Sequence, residues 1–148
     1  MRNLITLILV GIAFQIGFSQ VKKNEHIIVN DSISNVVTIQ TNASYKGGIN
    51  NFYNYIGNNY NFNNVKPSDV LAEFKDRDIM TIYLQFTVNE EGKPVDFTSI
   101  NTTNENTFYK EAVRVISSTR WTPAKINEVI VSEKFRIPIQ AYIRDFID

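Results

Sequence analysis

Between residues 79 and 88 the chain alternates. Met80, Ile82, Leu84, Phe86 and Val88 share one side, and Thr81, Tyr83, Gln85 and Thr87 the other. Period two with one apolar side is the pattern of a half-buried strand. Asn89-Glu90-Glu91-Gly92-Lys93 supplies the turn of a hairpin. Val95 and Phe97 continue in register, while Ile100 falls out of phase, so a bulge is expected near Thr98-Ser99. From about Asn104 to Ser118 the period changes to that of a helix. Phe108, Ala112, Val115 and Ile116 form its stripe, widened by Tyr109 and Val113, and Thr102 and Glu105 have capping-box spacing. Pro123 forbids continuation and pushes Thr122 to an extended form. Val129, Val131, Phe135, Ile137, Ile139, Ala141 and Ile143 then share one phase, interrupted by Glu133, and read as one long last strand.

Upstream, Tyr45-Lys46-Gly47-Gly48 punctuates the chain, its glycines suiting positive φ. Ile49, Phe52, Tyr53, Ile56 and Tyr60 fall on one helical face. Asparagine is a poor helix former, so packing rather than propensity must hold this Asn-rich helix. Asn61 to Lys75 reads as an irregular excursion, with Pro67 breaking any continuing helix.

The order helix–strand–strand–helix–strand predicts an α+β fold. Two helices pack on one face of a three-stranded antiparallel sheet of order two–one–three. The helical crossover makes strands two and three parallel, with strand one between them. Strand three is then an edge. Pro138 agrees, since proline within a strand implies an edge or a bulge. An unprotected edge is used or guarded. Lys134 and Arg136 face away from the core, where they guard it or flank a docked peptide strand.

The start of the chain differs from the rest. A basic Met1-Arg2-Asn3, an apolar run from Leu4 to Phe18, and small residues before Gln20 have the form of a secretory signal. The run spans about 22 Å as a helix, short of the roughly 30 Å of a bilayer core. Cleavage before Gln20 is expected, followed by a polar linker over residues 20–44 and a domain over 45–148, in the periplasm or secreted. With no cysteine, no disulfide forms and lipoprotein anchoring is excluded. The 43% hydrophobic content and ten Phe must therefore carry the fold through a core.

Candidate chemistry is sparse. Fifteen Lys+Arg balance 15 Asp+Glu, so no basic face for nucleic acid is indicated. His26 is the single histidine and lies in the linker. A Ser-His-Asp site needs a positioned histidine and a zinc site several N or S ligands. Glu90-Glu91 reads as a solvated turn pair, Asp76 and Asp78 as loop charges, and Trp121 as core. No enzymatic activity, cofactor, metal or small-molecule substrate is expected.

Tyr45-Lys46-Gly47-Gly48 with Phe52 and Tyr55-Ile56, the hairpin Phe86 to Val95, Phe108 with Glu111-Ala112 and Trp121-Thr122-Pro123-Ala124, and Phe135-Arg136-Ile137-Pro138-Ile139 occur in order. Together they resemble the C-terminal domain of the TonB energy-transducer family, in the form common in Bacteroidota, over roughly Ser44 to Ala141. Asn61-Phe62 stands where that family usually has Tyr-Pro, and no proline-rich spacer is present. The resemblance implies a periplasmic domain that adds a peptide from an outer-membrane or other envelope protein to its edge strand. The residues matching that edge are Phe135, Arg136, Ile137, Pro138, Ile139, Gln140, Ala141 and Tyr142. Self-pairing into a homodimer through the same strand is the alternative.

Overall fold

The computed structural model describes residues 7–8 and 38–146. Apart from Leu7-Ile8, the expected leader lies outside the described residues, as does the linker up to residue 37, with His26. In chain order the elements are β1 (Leu7–Ile8), β2 (Gln40–Thr41), β3 (Ser44–Tyr45), α1 (Gly48–Asn59), a 3-10 turn (Phe62–Asn64) and α2 (Pro67–Phe74). There follow β4 (Ile79–Val88), β5 (Pro94–Ser99), α3 (Thr107–Ser117), β6 (Trp121–Thr122), β7 (Ala124–Ile126), β8 (Val129–Val131), β9 (Glu133–Tyr142) and a final 3-10 turn (Ile143–Phe146).

The main sheet has the order β1-β9-β4-β5. β4 is central and antiparallel to both long neighbours, so the expected two–one–three order holds. The period-two pattern does what it predicts. Met80, Ile82, Leu84, Phe86 and Val88 of β4 are buried, as are Phe135, Ile137, Ile139 and Ala141 of β9. The buried faces of α1, α2 and α3 join them in one core. Trp121 sits among Phe52, Phe135, Tyr45 and Phe86, with ring centres 4.8 to 5.9 Å away. Its Nε1–H donates to the buried Thr119 hydroxyl at 3.0 Å.

The structure corrects several local expectations. The excursion from Asn61 to Lys75 contains a helix, α2, because Pro67 occupies its first turn. There the missing N–H would have had no partner anyway, so proline starts the helix instead of breaking it. The second expected helix begins later, at Thr107, and Asn106 rather than Thr102 caps it by accepting the Phe108 N–H at 2.9 Å. The bulge expected near Thr98-Ser99 is present, immediately before Thr98. Gln85 pairs with Thr98 while Thr87 pairs with Val95. The extra residue falls at Asp96-Phe97, and Asp96 takes φ 54°, a left-handed value that aspartate tolerates better than most residues.

The long last strand is in fact two. β8 pairs with β7 through a tight turn at Asn127-Glu128, whose φ values of 49° and 66° match a primed hairpin turn. The chain then crosses at Ser132 into the main sheet. β2 joins β7, and β3 joins β6, so from Gln40 onward the expected linker is paired.

A buried carboxylate ties α1 to α3. Glu111 on α3 is 3% exposed and accepts from the Asn61 N–H and Asn64 Nδ2, both at 2.8 Å, and from Arg114 Nε and Nη2 at 2.9 and 2.5 Å. Arg114 also donates to the Asn59 carbonyl that ends α1. Burial pushes the Glu111 carboxyl upward, but these donors and the Arg114 charge outweigh it and hold it below the usual range. Its contribution to stability is therefore present above the unfolded value of 4.5 and lost as pH falls through the lowered value. Glu111→Ala strands a backbone N–H and is expected to cost about 2–3 kcal/mol at pH 7. The gap should narrow at pH 3. Urea unfolding at the two pH values checks both statements; an equal gap would remove the linkage.

Candidate docking edge

The backbone of β9 has a two-sided geometry that one hydrogen bond fixes. The Ile143 N–H donates to the Asp78 carbonyl at 2.9 Å, in line with the register Ile79↔Tyr142 and Met80↔Ala141. Antiparallel ladders alternate bonded and non-bonded pairs. Odd-numbered residues of β9 therefore bond to β4, and even-numbered residues turn their backbone groups outward. The far side of β4 confirms the phase, since the Tyr83 carbonyl accepts from Ile100 N–H on the β5 side.

The outward row is Lys134, Arg136, Pro138, Gln140 and Tyr142. Pro138 thus costs the β4–β9 ladder nothing, because its nitrogen faces away from β4. It does leave a gap in the outward donors. Lys134 and Arg136 offer N–H groups before that gap, and Gln140 and Tyr142 after it. β1 meets β9 beyond the gap, pairing antiparallel with Leu7 opposite Ala141 and Ile8 opposite Gln140. By alternation, Gln140 is the residue placed to exchange both backbone bonds with Ile8.

The eight residues expected at the edge divide by side chain. Those of Phe135, Ile137, Ile139 and Ala141 are buried in the core and offer a guest only backbone on the β4 side. Arg136, Pro138, Gln140 and Tyr142 carry side chains on the opposite face. There the Arg136 guanidinium lies 4.8 Å from the Tyr83 ring centre, and Gln140 Nε2 donates to Thr81 Oγ1 at 2.9 Å. The far margin of β4, beyond the end of β5, is closed by a side chain. Asn101 donates to the Thr81 carbonyl and accepts from the Tyr83 N–H, at 2.7 and 2.9 Å, continuing the ladder where β5 ends.

Glu133, which breaks the phase of the last strand, has a structural use that its sequence position did not signal. Its carboxylate accepts the Ala43 N–H at 2.6 Å, pinning the segment between β2 and β3 to the start of β9. Burial raises its carboxyl above the usual range, only partly opposed by that N–H. Its share of stability is thus present at low pH and lost as pH rises through the raised value, opposite in sign to Glu111.

Of the remaining candidates, Asp78 meets the end of β9 through its carbonyl, while Glu90 and Glu91 stay apart from this edge. Glu91 pairs with Lys93 at 2.5 Å in the hairpin turn, and Glu90 accepts from the Ser132 hydroxyl at 2.8 Å. Among the described residues no group of three or more His, Cys, Asp or Glu side chains is placed to hold a metal. Nor is any helix among them long and apolar enough to cross a membrane.

No curated protein and no solved structure matches the chain significantly. The family model described as Gram-negative bacterial TonB protein C-terminal matches residues 81–140. That span takes in nearly all of β4, the hairpin to β5, α3, Trp121 and β9 as far as Gln140, but not α1 or α2. Domains of this family are non-enzymatic protein-interaction modules of the cell envelope that engage outer-membrane proteins. Over residues 81–140, then, this chain is similar to the C-terminal domain of TonB proteins.

Proposed function

We propose that this is an exported, non-enzymatic domain that docks an extended segment of an outer-membrane or other envelope protein by adding it as a strand to the outer margin of β9. The observation that carries the reading is the antiparallel pairing of Leu7-Ile8 at Gln140-Ala141, in which an extended apolar stretch occupies that margin. Leu7-Ile8 belongs to the expected leader, so its removal on export leaves the margin open to a partner. Pro138 limits the number of outward donors, and each backbone bond adds a net of only about 0.5–1.5 kcal/mol. Affinity is therefore modest, which suits repeated engagement and release.

A photo-crosslinking residue placed at Tyr142 in cells tests this. The expected adduct contains an outer-membrane protein, disappears with Gln140→Pro, and is absent when the crosslinker stands at the remote turn residue Glu128. Gln140→Pro spares the β4 ladder because the Gln140 nitrogen faces outward. An adduct of two copies of this chain would replace the proposal with self-pairing through β9. No adduct at Tyr142 would overturn both.

A further inference from the structure

In the described fold β9 is not the margin of the main sheet. β1 is, and Leu7-Ile8 lies against β9 past the Pro138 gap. The opposite margin, β5, carries its own protection. Pro94 has no N–H to offer, Asp96 is exposed in the left-handed bulge, and Asn101 caps β4 where β5 ends. Such features keep an edge from pairing with another chain. β9 is guarded in a similar way only in its first half, by Lys134 and Arg136. From Ile137 to Ile143 it has no charged residue. There β1 takes the place of a guard.

The contact is exclusive. By alternation Gln140 turns one N–H and one carbonyl outward, and Ile8 is placed to use both. A second strand cannot share them. Ile8 belongs to the same polypeptide, so its pairing does not weaken on dilution, and any guest must displace it. The contact is also short, with two paired positions, so it is readily given up.

The means of removing it lie in the same segment. From Leu4 to Phe18, ten of the fifteen residues are Leu, Ile, Val or Phe and none is charged. Each of those ten favours a bilayer interior over water. Inside a bilayer a single segment must satisfy its own backbone, as a helix does. Ile8 cannot be helical in lipid and extended on β9 at once.

We infer that the leader is an intramolecular inhibitor of the docking margin, and that a bilayer releases it without the need for cleavage. This rests on the strand-addition reading above. The full chain is closed in water and opens at a membrane.

Two measurements on the full chain test this. A labelled Thr-Leu-Ile-Leu-Val-Gly peptide, copied from residues 6–11, is titrated in buffer and followed by fluorescence anisotropy. The Leu7→Pro, Ile8→Pro chain should bind it roughly three- to tenfold tighter than the parent, the effect of losing one bonded pair. Equal binding overturns the inhibitor and leaves strand addition standing. If neither chain binds, strand addition itself fails and takes the inhibitor with it. The second measurement uses the absence of cysteine from the chain. With Ile8→Cys and Gln140→Cys, mild oxidation in buffer should join the two residues, read as faster migration on a non-reducing gel. Vesicles of phosphatidylethanolamine and phosphatidylglycerol should cut that yield at least roughly fivefold. A control pair, Thr81→Cys with Gln140→Cys, joins facing residues of β4 and β9 and should close equally with and without vesicles. No Ile8→Cys, Gln140→Cys disulfide in buffer overturns the inhibitor. A yield unchanged by vesicles overturns release by the bilayer.

Discussion

Trp121→Ala should lower the stability of the domain by about 3–5 kcal/mol, the usual cost of removing a large buried aromatic. Against a typical total of about 5–15 kcal/mol, that leaves a domain near the limit of folding at 37 °C. The size of the effect follows from position. The indole is 7% exposed and sits where four structural pieces meet: Tyr45 of β3, Phe52 of α1, Phe86 of β4 and Phe135 of β9. Its removal opens a cavity that none of these elements can close without moving the sheet. It also leaves the buried Thr119 hydroxyl without its indole donor, though that hydroxyl still donates to the Ile116 carbonyl at 2.7 Å. Trp121→Phe keeps most of the volume and should cost clearly less. Chemical denaturation of both variants measures the difference. A loss below about 1 kcal/mol for alanine would mean that Trp121 is not the centre of this core.

Gly92→Ala is the second large effect, and its cause is different. Gly92 ends the β4–β5 turn at φ 74°, and its N–H donates to the Asn89 carbonyl. Its own carbonyl accepts the Trp121 N–H at 2.9 Å. A methyl group added here would overlap the Trp121 carbonyl oxygen, a backbone atom that cannot rotate away. The hairpin and the exit of α3 would have to separate, losing the bond between them. The expected loss is about 2–4 kcal/mol, left-handed strain included. Gly48 provides the control. It has φ 83° but open space where a Cβ would go, so Gly48→Ala carries the strain alone, about 1–2 kcal/mol. If the two variants lose the same stability, the contact between Gly92 and Trp121 is not what matters.

This contact also explains why two separated sequence features belong together. The glycine of the hairpin and the Trp-Thr-Pro exit of the helix carried the resemblance as independent motifs. In the fold they touch, one supplying the backbone approach and the other the ring that fills the core. The framework was legible because it rests on periodicity: β4, the buried stripe of α3 and the order of the sheet follow from which residues repeat at which spacing. What periodicity does not encode was misread. Pro67 breaks or begins a helix depending on whether it stands inside or at the first turn. Asn127-Glu128 adopts a left-handed turn that glutamate does not advertise, so β8 and β9 ran together. Glu133 looked like an interruption and is a tether.

The edge was half legible. Pro138 pointed to it, but which residues turn their backbone outward depends on the phase of one ladder, set by the Ile143 bond to Asp78.

The central claim is that even-numbered residues of β9 receive the guest strand. Residue-resolved amide exchange tests it most directly, since a backbone bond to a guest protects the donating N–H. In the Leu7→Pro, Ile8→Pro chain the Gln140 and Tyr142 amides should exchange fast, while those of Ile139 and Ala141 stay protected by β4. Adding a peptide of sequence Thr-Leu-Ile-Leu-Val-Gly, copied from residues 6–11, should slow Gln140 and Tyr142 and leave the Asn101-closed margin of β4 unchanged. Protection appearing elsewhere, with Gln140 and Tyr142 still fast, would contradict the account.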